Sequence, residues 1–314
     1  MTTAFVFPGQ GAQAIGMGKA LAEAYPAAQA VFDEVDAALG EKLSDLIWNG
    51  DIAELTLTQN AQPALMATSM AAMRALESEG VKVTDAAMVA GHSLGEYSAL
   101  AAAGAISLGD TARLLRTRGL AMQNAVPVGE GAMAAVLGLD LEAVRAVAEE
   151  AAQGDVCQAA NDNDPAQVVV SGTKAAVERA IDLAKAKGAK RAILLPVSAP
   201  FHCALMQPAA QEMEHALSET EINAPCVPVI ANVRAGAVTD PNEIRKLLVQ
   251  QVTGAVRWRE SVLAMAAQGV TEIWEIGAGK ALSGMIRRID RSIATRQVGT
   301  PDDVAAVVKH IKEG

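Results

Sequence analysis

Five residues, Gly91-His92-Ser93-Leu94-Gly95, set a serine between two glycines. An apolar run, Ala86-Ala87-Met88-Val89-Ala90, leads into them, and an alanine-rich stretch follows. This is the pattern of a nucleophile elbow, in which a buried strand ends, the chain turns sharply and a helix begins with serine at the apex. The glycines suit a turn too tight for side chains, and the backbone N–H of Leu94 is placed to meet a developing oxyanion. A G-x-S-x-G also arises by chance in a chain rich in glycine and alanine, where it is a plain turn. The strand–turn–helix context favours the catalytic reading.

A serine alcohol is a weak nucleophile and needs a base within hydrogen-bond reach. Of the four histidines, His310 lies in a charged tail, and His215 follows Glu212 and Glu214 on what reads as a solvated helix. His92 adjoins Ser93, but neighbouring side chains diverge around a strained elbow. His202 remains, in the loop Pro196-Val197-Ser198-Ala199-Pro200-Phe201-His202-Cys203. This loop follows an expected strand, where open α/β sheets present catalytic groups. No carboxylate is an obvious third member. Asp140, Asp155, Asp162 and Asp164 lie between serine and histidine in the chain. All of them fall in a segment that reads as an inserted unit, so a Ser–His dyad steadied by a carbonyl or an amide is the simpler expectation.

Arg118 is the next informative residue. Thr111, Leu114, Leu115, Arg118, Ala121 and Met122 share one face of a helix beginning near Gly109, which puts the arginine in the apolar stripe. A buried guanidinium needs a partner. Periodicity alone favours an internal ion pair over a substrate carboxylate, which the guanidinium would grip bidentately. The opening loop Pro8-Gly9-Gln10-Gly11-Ala12-Gln13-Ala14 formally fits G-x-G-x-x-A, but Pro8 and the missing acidic residue downstream count against a dinucleotide site. The loop could instead present the Gln10 N–H opposite Leu94. Gly277-Ala278-Gly279-Lys280 lacks the earlier glycine and the hydroxyl residue of a P-loop and reads as a strand-to-helix turn.

The elements that must hold these groups alternate between β-like and helical runs, which argues for an α/β fold. Phe5-Val6-Phe7 and Met88 to Ala90 read as strands; Gly16 to Ala38, Gln62 to Glu79 and Gly109 to Ala125 read as helical. From Ala132 to Val197 the order changes to β-α-β-β-α-β, that of a ferredoxin-like unit. Its expected elements are strand 132–139, helix 141–152, strands 156–160 and 168–171, helix 173–187 and strand 192–197. The expected division is therefore a discontinuous larger domain (1–127 and 198–314) with a small domain (128–197) inserted in it. A cleft between the two would take the substrate.

The 314 residues are 51% hydrophobic but only 3% aromatic, so the core is aliphatic. The net charge of −10 argues against general nucleic-acid binding. Anion recognition must then come from local clusters, for which Lys185, Lys187, Lys190 and Arg191, or Arg287, Arg288 and Arg291, are candidates; ordinary solvated helix faces are the simpler reading of both. Three unpaired-looking cysteines (Cys157, Cys203, Cys226) without metal spacing read as free thiols in a reducing compartment. No signal peptide is recognisable, and the apolar run 86–107 carries His92, Glu96 and three glycines, which argues against a membrane span. The expectation is a cytoplasmic protein that does not engage membranes.

Taken together, Phe7-Pro8-Gly9-Gln10-Gly11, Gln62-Pro63-Ala64-Leu65, Gly91-His92-Ser93-Leu94-Gly95-Glu96, Arg118-Gly119 with Met122-Gln123, and Pro200-Phe201-His202 resemble the malonyl-CoA:acyl carrier protein transacylases. These are the acyltransferases of dissociated fatty acid synthesis, and the resemblance runs in order along essentially the whole chain. It implies a hydrolase-like large domain with a parallel sheet core and a ferredoxin-like small domain, with Ser93 as the acylated nucleophile, His202 as its base, and the Gln10 and Leu94 amides as the oxyanion hole. It also implies that Arg118 clamps the malonyl carboxylate, against the ion pair favoured by periodicity. Gln251 matches the family residue that supports the histidine. Gln62, His92, Phe201, Asn161 and Asn163 would also contact or line the substrate site.

Two features qualify the match. Gly254-Ala255 stands where the family often has Asn-Pro, which loosens the register around Gln251, and Phe201 should crowd an α-methyl group. The implied reaction is a ping-pong transfer of malonyl from malonyl-CoA to the phosphopantetheine thiol of acyl carrier protein, by a monomer, with no metal or redox cofactor. A serine esterase or thioesterase and a non-catalytic carrier-binding subunit are the alternatives.

Overall fold

The computed structural model describes residues 2–197 and 199–313; Ser198, where the second part of the large domain was expected to begin, lies outside them. Ten strands run in chain order: β1 (Thr3–Phe7), β2 (Met88–Gly91), β3 (Gly131–Leu137), β4 (Cys157–Asp164), β5 (Gln167–Thr173), β6 (Arg191–Leu194), β7 (Val229–Ala231), β8 (Gly236–Val238), β9 (Glu272–Ile276) and β10 (Ala294–Val298). Six of them form a sheet in the order β10-β9-β1-β2-β7-β8, parallel except for the β7–β8 hairpin at its edge.

β1 is apolar from Ala4 to Phe7 and fully buried, as a strand covered on both faces requires. Alternation divides its side chains. Phe5 and Phe7 join the large core with residues of helices Thr58–Ser78, Leu94–Ala102 and Leu108–Asn124. Ala4 and Val6 pack on the other side with Trp258, Val262, Leu282 and Ile286. The register pairs Phe7 with Gly91, so the loops leaving β1 and β2 emerge side by side at the carboxyl edge of the sheet. This is where open parallel sheets place their ligands.

The remaining four strands form an antiparallel sheet in the order β4-β5-β3-β6. Helices Leu141–Ala152 and Lys174–Ala186, capped by the side chains of Asp140 and Thr173, cover one face through a separate core of Val144, Val147, Val177, Ala180 and Ile181. Met133 and Val169 leave the other face and belong to the large core. The chain thus has the expected α/β class, with a parallel core and a separate antiparallel sheet.

Several element boundaries differ from the sequence reading. The helical stretch expected over 16–38 is two helices, Lys19–Ala24 and Pro26–Leu39, because Pro26 cannot continue the first but suits the first turn of the second. β4 runs on to Asp164 rather than stopping at 160, since its polar end is buried by partners: Asp162 pairs with Arg259, and Asp164 with Arg288. β6 ends at Leu194, short of 197. The charged tail holding His310 is the helix Pro301–Glu313, with Val304 and Val307 in the large core. None of the helices among the described residues is long and apolar enough to cross a membrane.

Candidate active site

The elbow forms as its glycines require. A Cβ on Gly91 would lie 1.9 Å from the carbonyl carbon of Gly95, and one on Gly95 would lie 2.2 Å from the Phe7 carbonyl oxygen, so neither position accepts a side chain. Ser93 sits between them at φ 55° and ψ −111°, a strained positive-φ conformation that a non-glycine residue adopts only when its surroundings impose it. Asn232, the residue after β7, supplies part of that constraint. Its Oδ1 accepts the Ser93 N–H at 2.7 Å, and its Nδ2 donates to the Gly91 carbonyl at 2.7 Å. Leu94 opens the helix that follows, so its N–H has no partner within that helix.

His202 lies 109 residues downstream, yet its Nε2 is 2.8 Å from Ser93 Oγ. Nδ1 is 2.9 Å from the Gln251 carbonyl oxygen, which can only accept. The proton therefore sits on Nδ1, and the Nε2 lone pair faces the serine hydroxyl. His202 is also at positive φ, 59°. Burial first, and then the charge of Arg118, hold its pKa down at about 3, so the imidazole is neutral across the physiological range. None of the four aspartates considered from the sequence reaches it. Asp140 caps a helix, Asp155 pairs with Arg179, and Asp162 and Asp164 pair with Arg259 and Arg288. A backbone carbonyl holds the ring instead.

Arg118 is almost wholly buried and has no direct carboxylate ion pair among the described residues, although the charge of buried Glu96 acts on it. Nη1 donates to Gln62 Oε1 at 2.7 Å, while Nη2 donates to Gln251 Oε1 at 2.8 Å and to Ser93 Oγ at 3.1 Å. Its Nε has no acceptor among the described residues, and its Cζ lies 5.6 Å from the centre of the Tyr97 ring. A direct internal ion pair, favoured by periodicity, is thus absent among the described residues, and neutral amide oxygens hold the cation.

Two local features bring Gln62 to Arg118. Gly119 permits a close helix crossing, since a Cβ there would lie 2.5 Å from Gln59 Cα. Pro63 has no N–H to give the Gln59 carbonyl in the fourth preceding position, and that oxygen accepts from Arg116 Nη1 at 2.7 Å instead.

A cavity of about 270 Å³ opens beside these groups. Gln10, Gln62, His92, Ser93, Leu94, Arg118, Asn161, Asn163, Phe201 and His202 all line it, with Met133, Val169 and Met285 among its apolar walls. It lies where the two sheets approach each other. There the Ala160 carbonyl accepts from Val256 and the Asp162 N–H donates to Val256, tying β4 to the segment before Trp258. His92 Nε2 meets Asn163 Oδ1 at 2.9 Å across the same junction. The Gln10 side chain donates to Thr58 Oγ1 at 3.3 Å.

Gln251 meets His202 through its backbone carbonyl, the support that the family match implies; its side chain is fully buried and off the cavity wall, and reaches the substrate site through Arg118. Asn232 and Glu96 escaped the sequence reading as site residues. Each left a faint signal: Asn232 ends an apolar strand run, and Glu96 is the one acid in the helix Leu94–Ala102.

The family model for the acyl transferase domain matches residues 4–308. The malonyl CoA-acyl carrier protein transacylase of Bacillus subtilis (strain 168) is 49% identical over 99% of this chain and 97% of its own length. The crystal structure of the acyl-carrier-protein-S-malonyltransferase from Bartonella henselae superposes with a TM-score of 0.97 at 56% identity, covering 99% of this chain and 100% of that one. A malonyl-transacylase solved in complex with its type II PKS acyl-carrier protein superposes at 0.96 with 42% identity, covering 99% and 100%. On matches that run over essentially its whole length, the chain belongs to the acyl transferase domain family, among its malonyl-CoA:acyl carrier protein transacylases.

Proposed function

We propose that the chain moves a malonyl group from malonyl-CoA to the phosphopantetheine thiol of an acyl carrier protein, through an ester on Ser93. One observation carries this reading. Ser93 Oγ is held at once by the base that would deprotonate it and by a buried cation that no carboxylate among the described residues meets directly. Such a site suits an acyl group that ends in a carboxylate.

In the first half-reaction, Oγ attacks the thioester carbonyl and its proton passes to His202 Nε2. The carbonyl oxygen becomes an oxyanion facing the N–H groups of Leu94 and Gln10. Collapse breaks the carbon–sulfur bond, and the CoA thiolate leaves with the proton from His202. In the second, the carrier thiol gives its proton to Nε2 and attacks the malonyl-serine ester. Oγ then leaves and is reprotonated. A thioester is exchanged for a thioester, so electrons balance without a redox partner. Phe201 lines the cavity, and its ring would crowd a branched α-carbon. Free thiols at Cys157, Cys203 and Cys226 fit a cytoplasmic setting.

CoA release measured with and without acyl carrier protein tests the reading. Transfer requires release to continue past one equivalent per enzyme only when the carrier is present. Equal steady release without carrier, with free malonate accumulating, would make the protein a hydrolase instead.

A further inference from the structure

Behind the dyad lies a buried carboxylate to which the transfer steps give no role. Glu96, on the first turn of the elbow helix, is almost fully buried, and one of its oxygens, Oε2, accepts two hydrogen bonds. One comes from Gln251 Nε2 at 2.8 Å and the other from the Asn232 N–H at 3.0 Å. The same Gln251 nitrogen also donates to the Ser93 carbonyl at 3.0 Å. Its amide oxygen faces the other way, onto Arg118 Nη2 at 2.8 Å.

A primary amide between a carboxylate and a guanidinium has only one workable orientation, with NH₂ toward the acceptors and oxygen toward the donor. Reversal would set NH₂ against Arg118 N–H groups and the amide oxygen against the Glu96 oxygen. Glu96 thereby fixes which end of Gln251 meets the arginine. Through Asn232 it also steadies the residue that pins the elbow.

We infer that Glu96 is a positioning residue for substrate selection, whose Oε2 locks the Gln251 amide so that the amide oxygen holds the Arg118 guanidinium in register with Ser93. This rests on the reading of Arg118 as the clamp for the substrate carboxylate. The carboxylate touches neither substrate nor reacting atoms, and it acts on malonyl recognition at one remove.

The test compares kcat/KM for acylation of Ser93 by malonyl-CoA and by acetyl-CoA in full-length Glu96→Leu and Glu96→Gln, with Arg118→Ala alongside. Glu96→Leu removes the acceptor and is expected to lower the malonyl-to-acetyl ratio by about tenfold, the effect of losing one buried hydrogen bond to a charged group. Glu96→Gln keeps an oxygen acceptor in place and should restore the ratio to within about threefold of the parent. A parental ratio in Glu96→Leu overturns the inference, as does an equal fall in the two Glu96 variants. Should Glu96→Leu not fold, Glu96→Asp withdraws the acceptor by one methylene and is expected to give an intermediate ratio, with a parental ratio again overturning the inference. If Arg118→Ala keeps its malonyl preference, the clamp reading itself fails. If Arg118→Ala loses that preference while Glu96→Leu keeps it, only the role given to Glu96 fails.

Discussion

Replacing Arg118 with alanine should divide malonyl from acetyl substrates. The guanidinium is buried and reaches Ser93 Oγ through Nη2 at 3.1 Å. In a malonyl-serine ester, three bonds of about 1.5 Å separate Oγ from the carboxylate carbon, which puts that carbon within ~4 Å of Oγ. The same guanidinium is therefore within its reach. Breaking a desolvated charge pair by removing one partner costs about 3–5 kcal/mol, which at about 1.4 kcal/mol per factor of ten is a loss of two to three and a half decades, roughly 10²- to 4 × 10³-fold, in kcat/KM for malonyl-CoA. Acetyl-CoA presents a methyl group at that point. It shares only the loss of the Arg118 hydrogen bonds to Ser93 Oγ and to the Gln62 and Gln251 amide oxygens, about tenfold. Stopped-flow acylation with each thioester separately, on protein whose melting transition has been checked, reads the difference directly. Equal losses for the two substrates would refute the reasoning, because they would mean that Arg118 supports the fold of the site and not the carboxylate.

Two further outcomes follow from the network around the elbow. Asn232→Ala removes the acceptor of the Ser93 N–H and the donor to the Gly91 carbonyl, while of the Arg118 partners only Gln251 loses a contact, the long one from its Nε2 at 3.4 Å, and keeps its shorter bonds to Glu96 and the Ser93 carbonyl. It should slow malonyl and acetyl acylation alike by roughly 10–100-fold, and a selective loss of malonyl would contradict that placement. The pH dependence of stability should reveal Glu96. Burial raises its carboxyl from 4.5 to about 7, so the folded state binds more protons than the unfolded chain between those values. Its stabilising contribution is therefore fully present below pH 4.5 and is lost as pH rises through about 7. Across that window the parent should lose on the order of 2–3 kcal/mol relative to Glu96→Gln, measured as the difference between their denaturation curves. A difference that stays constant with pH would mean that Glu96 titrates normally.

The site was legible where chemistry sits in contiguous residues or in helical periodicity. The elbow, the His202 loop and the burial of Arg118 all lie in short spans whose residue types are unusual for their surroundings. The partner of Arg118 was harder to read, because periodicity shows that a guanidinium is buried but not what meets it. Gln62 and Gln251 arrive from helices 56 and 133 residues away. Asn232 and Glu96 were illegible as a pair for the same reason: the bond joining them spans 136 residues and depends on β7 lying beside β2.

Polar Asn161-Asp162-Asn163-Asp164 resembles a loop until Arg259, Arg288 and His92 are brought against it, and only then can it continue a strand. The ferredoxin-like order was readable because its strands and helices are short and regularly patterned. Its two helices face their own core with Val144, Val147, Val177 and Ile181 at helical spacing.

The most direct measurement is the intact mass of the protein a few seconds after mixing with malonyl-CoA. The parent should gain one malonyl group and lose it on addition of carrier; Ser93→Ala should gain none, and His202→Ala should gain it slower by orders of magnitude. Stoichiometric labelling of Ser93→Ala, or a parent that never carries the group while still transferring it, would contradict a serine ester as the intermediate.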